Sequence, residues 1–260
     1  MKIVECPRDA MQGIKHWIPS ELKIKYINQL LNVGFDTLDF GSFVSPKAIP
    51  QLKDTEQVLN GLDLSDTKSK LLAIVANERG ALDACRFEEI QFLGYPFSIS
   101  EEFQKRNTNA SIEESLSRVE AIQNLCLKHK KELVIYISMG FGNPYGEQWS
   151  PDIAAHWSNR LATELDVKIL ALSDTIGVSN PENISSLFST LIPEFPKVEF
   201  GAHLHSTPET RMEKIEAAYS SGCKRFDGAI KGHGGCPMAA DDLVGNMATE
   251  DLLDFASQHH

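Results

Sequence analysis

Two hydrophobic rhythms alternate along the 260-residue chain. Short apolar or β-branched runs are followed by longer segments in which apolar residues recur at helical spacing. The short runs number eight: "KIVEC", "FDTLDF", "LLAIVA", "EIQFLG", "ELVIYISM", "KILALSD", "VEFGAHLH" and "RFDGAI". A near-continuous apolar run such as "LLAIVA" suits a strand of a parallel sheet covered on both faces. The segments between carry helix signals. "SIEESLSRVEAIQNLCLKHK" opens with Ser111 and Glu114 spaced as a capping box, and Ile112, Leu116, Val119 and Ile122 lie on one stripe. "SPDIAAHWSNRL" and "NPENISSLFSTL" each place a capping residue, Ser150 and Asn180, before a proline at the first helical position. "TPETRMEKIEAAYSSG" is expected to do the same with Thr207 and Pro208 and to stop at Gly222.

Eight strands alternating with helices predict an α/β fold, a (β/α)8 TIM barrel, as a single domain over residues 1–260. An open doubly wound sheet is the alternative. The absence of G-x-G-x-x-G after the first strand weighs against its dinucleotide-binding form. No low-complexity linker divides the chain.

Composition narrows the function classes. Hydrophobic residues make up 42%, enough for a sizeable core, and the net charge is −11. That balance argues against a broad nucleic-acid or membrane-surface footprint. No stretch reaches the length of a membrane span, and "MKIVECPRD" lacks the apolar run of a signal peptide. Five widely spaced cysteines without CxxC argue against a disulfide framework or a thiolate zinc site. A cytoplasmic protein acting on a small molecule is expected, with a homo-oligomer compatible with the sequence.

The candidate chemistry begins in "GAHLHST". His203 and His205 stand at i and i+2 at the end of the seventh run, so a strand there points both imidazoles to one face. In a closed barrel the first, seventh and eighth strands are neighbours. The rim of the first carries Arg8 and Asp9 in "ECPRDAMQ". The segment after the eighth, "KGHGGCPMAADDLVGNMATEDLL", offers Cys236, Asn246, Glu250 and Asp251. Asp9, His203, His205 and Asn246 make a mixed nitrogen and oxygen set for one divalent ion with open positions, Mg²⁺ or Mn²⁺ first and Zn²⁺ or Co²⁺ next. A surface ion pair for Arg8–Asp9 and a helix cap for Asn246 are the plain alternatives.

These motifs resemble a known family. "CPRDAMQ" is similar to the "GPRDGLQ" signature of 3-hydroxy-3-methylglutaryl-CoA lyases. "FGSFVSPKAIPQLKDTEQVL", "FQKRNTNASIEESLSR", "LSDTIGVSNP", "HLHST" and "GHGGCPMA…GNMATEDL" resemble further lyase segments in the same order, from about residue 3 to 255. The resemblance implies a metal-dependent TIM-barrel lyase that cleaves a 3-hydroxyacyl-CoA by retro-Claisen chemistry. It implies Asp9, His203, His205 and Asn246 as metal ligands, and Arg8 as the group that stabilises enolate charge on the thioester oxygen. It implies Cys236 as the catalytic cysteine of the glycine-rich loop, and Glu250 and Asp251 as acidic residues of the site. The base that takes the hydroxyl proton is Asp9 or His203. The chain departs from the family pattern at Asp39, where the lyases carry glutamate, and at Ala10, Ser206 and His233. The segment from Cys236 to Asn246 is also one residue longer. A related aldolase or Claisen-type synthase, and a metal-binding relative without turnover, are the rival readings.

Overall fold

A computed structural model describes residues 1–235 and 244–259. Its first half runs β1 (Lys2–Glu5), α1 (Pro7–Gln12), α2 (Ser20–Leu31), β2 (Thr37–Ser42), α3 (Thr55–Asn60), β3 (Lys70–Ile74), α4 (Glu78–Cys85), β4 (Ile90–Ser98), α5 (Glu101–Thr108) and α6 (Ile112–Lys128). The second half runs β5 (Glu132–Ser138), α7 (Pro151–Asn159), β6 (Ile169–Ser173), α8 (Pro181–Glu194), β7 (Glu199–His203), α9 (Arg211–Ser220), β8 (Arg225–Gly228) and α10 (Thr249–Gln258). Among the described residues, eight strands pair in sequence order, all parallel. β1 closes the ring on β8 with Val4 opposite Asp227 and Glu5 opposite Gly228. The expected (β/α)8 barrel is therefore the fold.

Helix starts follow the caps read from the sequence, with one exception. Ser111 and Glu114 form a reciprocal capping box, Asn180 and Asn183 form another, and the Ser150 hydroxyl accepts from the Ile153 N–H. Thr207 and Pro208 do not open α9. The Thr210 hydroxyl accepts from the Thr207 N–H, and the chain turns there before the helix begins at Arg211. A local side-chain turn has won over the helix start. Gly222, with φ of +101°, follows the end of α9 as expected. β4 also runs past its apolar stretch to Ser98, through Pro96, which lies opposite Tyr136.

The core has two parts. Leu38, Phe40, Leu93, Ile135 and Leu170 face out from the strands and pack with helix residues such as Ile27, Val119 and Leu187. Inside the ring, Leu72, Ile74, Phe92, Val134, Tyr136, Ile169 and Ala171 fill the half of the lumen bounded by β3 to β6. Parallel register partners share a face, so Asp39 opposite Leu72 also points inward. The other half of the lumen holds Asp39, His203, Arg225 and Asp227, from β2, β7 and β8. The interior is thus apolar on one side and ionisable on the other.

Candidate active site

A cavity of about 720 Å³ opens at the C-terminal ends of the strands, lined among others by Arg8, Asp9, Gln12, Ser42, Tyr136, His203 and His205. This is where barrel folds place their chemistry.

Pro7 starts α1 directly after β1 and puts Arg8 and Asp9 in the first helical turn. Gln12 lies one turn on and donates from Nε2 to Asp9 Oδ1 at 2.6 Å, while Arg8 Nη1 reaches Asp9 Oδ1 at 3.0 Å and Gln12 Oε1 at 3.1 Å. The opposite edge of the Arg8 guanidinium grips Asp39, with Nε 3.0 Å and Nη2 2.5 Å from Oδ2. The shorter carboxylate at this position thus still reaches the arginine. A bulge between Asp39 and Gly41 follows. A Cβ at Gly41 would sit 2.6 Å from Thr55 Cγ2, so the bulge is fixed by close packing.

His203 ends β7, and its Nδ1 lies 3.0 Å from Asp227 Oδ2 on β8. The carboxylate fixes the ring orientation and leaves Nε2 as the free nitrogen. His205 lies beyond the strand, in an isolated antiparallel bridge with Asn246. Lys214 of α9 donates to the His205 carbonyl at 2.8 Å and to Asp174 Oδ2 at 3.0 Å, a buried ion pair that pins the loops after β6 and β7. Asn246 Nδ2 donates to Asp9 Oδ2 at 2.6 Å and to the His233 carbonyl at 2.9 Å. With those hydrogens used, Oδ1 is the atom it can offer an ion. Gly234 has φ of +97°, and a Cβ there would lie 2.8 Å from the Asp9 carbonyl, so backbone closes directly over the Asp9–Asn246 contact.

The electrostatics follow from burial and charge pairing. Burial pushes the Asp9 carboxyl up, but Arg8, His203, the Asn246 hydrogen bond and His205 outweigh it and hold the group below its ordinary range. For Asp39 burial wins over Arg8, and its carboxyl rises to about 6. Burial pushes His203 down, but the hydrogen bond and charge of Asp227, then Asp9, carry it above its usual value. His205, desolvated and beside His203, falls to about 4 and is neutral at pH 7.

The sequence-derived residues are largely brought together. Arg8, Asp9, His203 and His205 share the cavity, and Asn246 touches Asp9. Cys236 lies outside the described residues. Glu250 is exposed and accepts the Lys231 N–H at 2.9 Å, anchoring the near end of the loop after β8, and it does not line the cavity. Asp251 pairs with Arg211 at 2.7 Å. Sequence reasoning missed Asp227, Gln12, Glu5 and Cys6. Asp227 could have been found as the lone acid in "RFDGAI". Glu5, fully buried on β1, accepts from the Ile230 N–H at 3.1 Å and from the Thr249 hydroxyl. Its desolvation outweighs those bonds and lifts its carboxyl to about 7. Among the described residues, the imidazole, thiol and carboxylate ligand atoms lying within 4.8 Å of one another belong to Cys6, His203 and Asp227.

A family model described as HMGL-like matches residues 2–258. The hydroxymethylglutaryl-CoA lyase YngG of Bacillus subtilis is 34% identical over 255 residues, spanning 97% of this chain and 83% of its own. The cytoplasmic 3-hydroxy-3-methylglutaryl-CoA lyase of Rattus norvegicus is 33% identical over 256 residues, spanning 97% and 73%. Among solved structures, an HMG-CoA lyase from Acinetobacter baumannii, in complex with coenzyme A and 3-methylmalate, superposes with a TM-score of 0.90 at 30% identity, covering 99% of this chain and 83% of its own.

Proposed function

The chain belongs to the HMGL-like family, and on that footing we propose that it is a metal-dependent carbon–carbon lyase that cleaves 3-hydroxy-3-methylglutaryl-CoA to acetyl-CoA and acetoacetate. The observation that carries this reading is Arg8 held between Asp39 and Asp9 at the mouth of the cavity, beside His203 and His205.

The chemistry of the donor set suits a divalent ion, although the ligand atoms of Asp9, His203 and His205 do not all come within 4.8 Å of one another in the structure. Asp9 is held as a carboxylate, His205 as a neutral imidazole, His203 is oriented through Nδ1, and Asn246 keeps Oδ1 free. Mg²⁺ or Mn²⁺ suits these ligands best, with Zn²⁺ or Co²⁺ as alternatives. When bound, the ion supplies Lewis acidity toward the substrate hydroxyl.

The protein groups do the rest. Arg8 has five N–H donors, and the contacts to Asp39, Asp9 and Gln12 engage four of them. One Nη2 hydrogen is left for a thioester oxygen as it gains enolate charge. Asp39 fixes the plane of the guanidinium. The substrate hydroxyl needs a proton acceptor, and Asp9 and His203 are the two cavity groups able to serve. Cys236, in the segment that follows β8 in sequence, protonates the departing enolate in the role the family resemblance gives it. Glu250 supports the start of that segment through the Lys231 N–H. Acyl-CoA is the substrate class, which the coenzyme A complex of the Acinetobacter baumannii relative supports, and the setting is cytoplasmic, with a homo-oligomer compatible with the sequence. No described helix is long and apolar enough to cross a membrane.

The test is a panel of acyl-CoA thioesters incubated with metal-reconstituted protein, with products read by mass. Cleavage of 3-hydroxy-3-methylglutaryl-CoA to acetyl-CoA and acetoacetate is expected. Cleavage of another thioester in its place, or of none, overturns the assignment.

A further inference from the structure

Below the ligand set assigned above sits a second group of donors. Cys6, at the junction of β1 and α1, is 1% exposed, and its Sγ makes only a long contact to the Val4 carbonyl at 3.6 Å among the described residues. Its thiol, an imidazole nitrogen of His203 and a carboxylate oxygen of Asp227 lie within 4.8 Å of one another. Asp227 is 3% exposed, and its Oδ1 has no hydrogen-bond partner among the described residues. A buried carboxylate oxygen without a donor is costly unless something positive reaches it. Three buried carboxylates, Asp9, Asp39 and Asp227, stand on this side of the lumen with the guanidinium groups of Arg8, which holds Asp9 and Asp39, and Arg225, which lies 3.6 Å from Asp36. The lyase signature has glycine where this chain has Cys6, so the sulfur belongs to this chain and not to the shared pattern.

We propose that Cys6, His203 and Asp227 form a thiophilic metal site, distinct from the Asp9–His203–His205–Asn246 set, at which a zinc- or cadmium-class ion binds and withdraws His203 from catalysis. Two nitrogen or oxygen ligands on one tetrahedral zinc lie roughly 3.3 Å apart. His203 Nδ1 and Asp227 Oδ2 are already 3.0 Å apart, and the thiol, within 4.8 Å of the other two ligand atoms, closes on them as the ion replaces that hydrogen bond. The thiol releases its proton to water as it binds. Thiolate and carboxylate then neutralise the two positive charges of the ion, which suits a buried position. Sulfur provides the selectivity, because Mg²⁺ and Mn²⁺ take oxygen ligands and leave thiolates to softer ions. The two sites share His203, so a soft ion competes with turnover even when Mg²⁺ is saturating. That inhibitory consequence rests on the lyase reading, but the binding does not.

The experiment titrates the full chain with Cd²⁺ under excess Mg²⁺ and follows thiolate-to-metal charge-transfer absorption. Wild type and Cys236→Ser are expected to bind one sulfur-ligated ion each. Cys6→Ser, which keeps the side-chain volume, and Cys6→Gly are expected to lose the band and to bind Cd²⁺ about a hundredfold more weakly. Cd²⁺ inhibition of magnesium-supported thioester cleavage, read against each protein's own rate without Cd²⁺, should be lost in Cys6→Gly. No band in wild type overturns the proposal, as does a band that persists in either Cys6 variant or disappears with Cys236→Ser. The band is read without substrate. A protein that shows it yet cleaves no thioester would refute the lyase reading and leave the metal site standing.

Discussion

Arg8→Lys keeps a positive charge in the cavity and removes the planar fork. In the native site the fork spans two carboxylates, with Asp39 on the Nε/Nη2 edge and Asp9 on Nη1. An ammonium offers three donors from a single atom and cannot face both at these distances. One buried carboxylate is left short of its cation. A charge-assisted hydrogen bond contributes about 1.5–3 kcal/mol, so a stability loss of roughly 2–4 kcal/mol is expected. The free Nη2 hydrogen disappears as well. Losing one donor to a developing oxyanion costs about 2.7–4 kcal/mol, or about two to three decades in kcat. Misplacement of the remaining charge extends the expected range to about four decades. The proposed metal ligands are untouched, so metal content should stay near the wild-type value. The assay combines steady-state thioester cleavage at saturating metal, elemental analysis of the purified protein and thermal unfolding. A change confined to KM would mean that Arg8 binds ground state and transition state alike. That result, or a kcat within tenfold of wild type, refutes the role assigned to it.

The double variant His203→Ala/His205→Ala should purify with little bound divalent metal after reconstitution, and metal content equal to wild type would remove both histidines from the ligand set. Cys236→Ser should lower turnover severely with metal content unchanged, and full activity on every cleaved thioester would make that cysteine structural. Gly234→Ala forces a Cβ to within 2.8 Å of the Asp9 carbonyl at φ of +97°, so metal affinity measured by calorimetry should fall, and an unchanged value contradicts the close approach. Glu5 supplies a pH test: its carboxyl ionises near 4.5 when unfolded and near 7 when folded. The native state therefore holds the extra proton, and stability falls as pH rises through that window, by up to about 3 kcal/mol. Glu5→Gln should flatten the urea-midpoint profile between pH 4.5 and 7 by the Glu5 contribution and leave the part due to Asp39, and parallel profiles for the two proteins would sink the idea.

The barrel was legible because strand and helix periods differ and each run is short enough to be one element. The eight observed strands fall on the eight apolar runs with shifts of a few residues. Caps were legible where a side chain binds its own helix, at Ser111, Ser150 and Asn180. The start of α9 was not, because Thr207 and Thr210 bind each other instead. In the site, Arg8, Asp9, His203 and His205 stood out as polar residues at strand ends. Asp227 and Glu5 did not, because each belongs to a strand and takes its partner from another element, His203 of β7 for Asp227 and Ile230 and Thr249 across the ring closure for Glu5. The Asp9–Asn246 contact joins residues 237 apart, a pairing no local pattern can encode.

That closure has a consequence for how the molecule assembles. Every group on the ionisable side of the lumen comes from strands at the two ends of the chain or from loops beside them, while the apolar side is built from its middle. The β3-to-β6 half can condense early through neighbouring contacts. The bonds joining β1 to β8 and α10 are expected to come last, because their loop is nearly the whole chain. A nascent or nicked barrel can therefore possess most of its packed interior and no ligand set at all. Divalent-ion binding then serves as a kinetic clock for the final step of folding, and stopped-flow mixing of refolding chains with a metal indicator should report ring closure well after helix signals are complete.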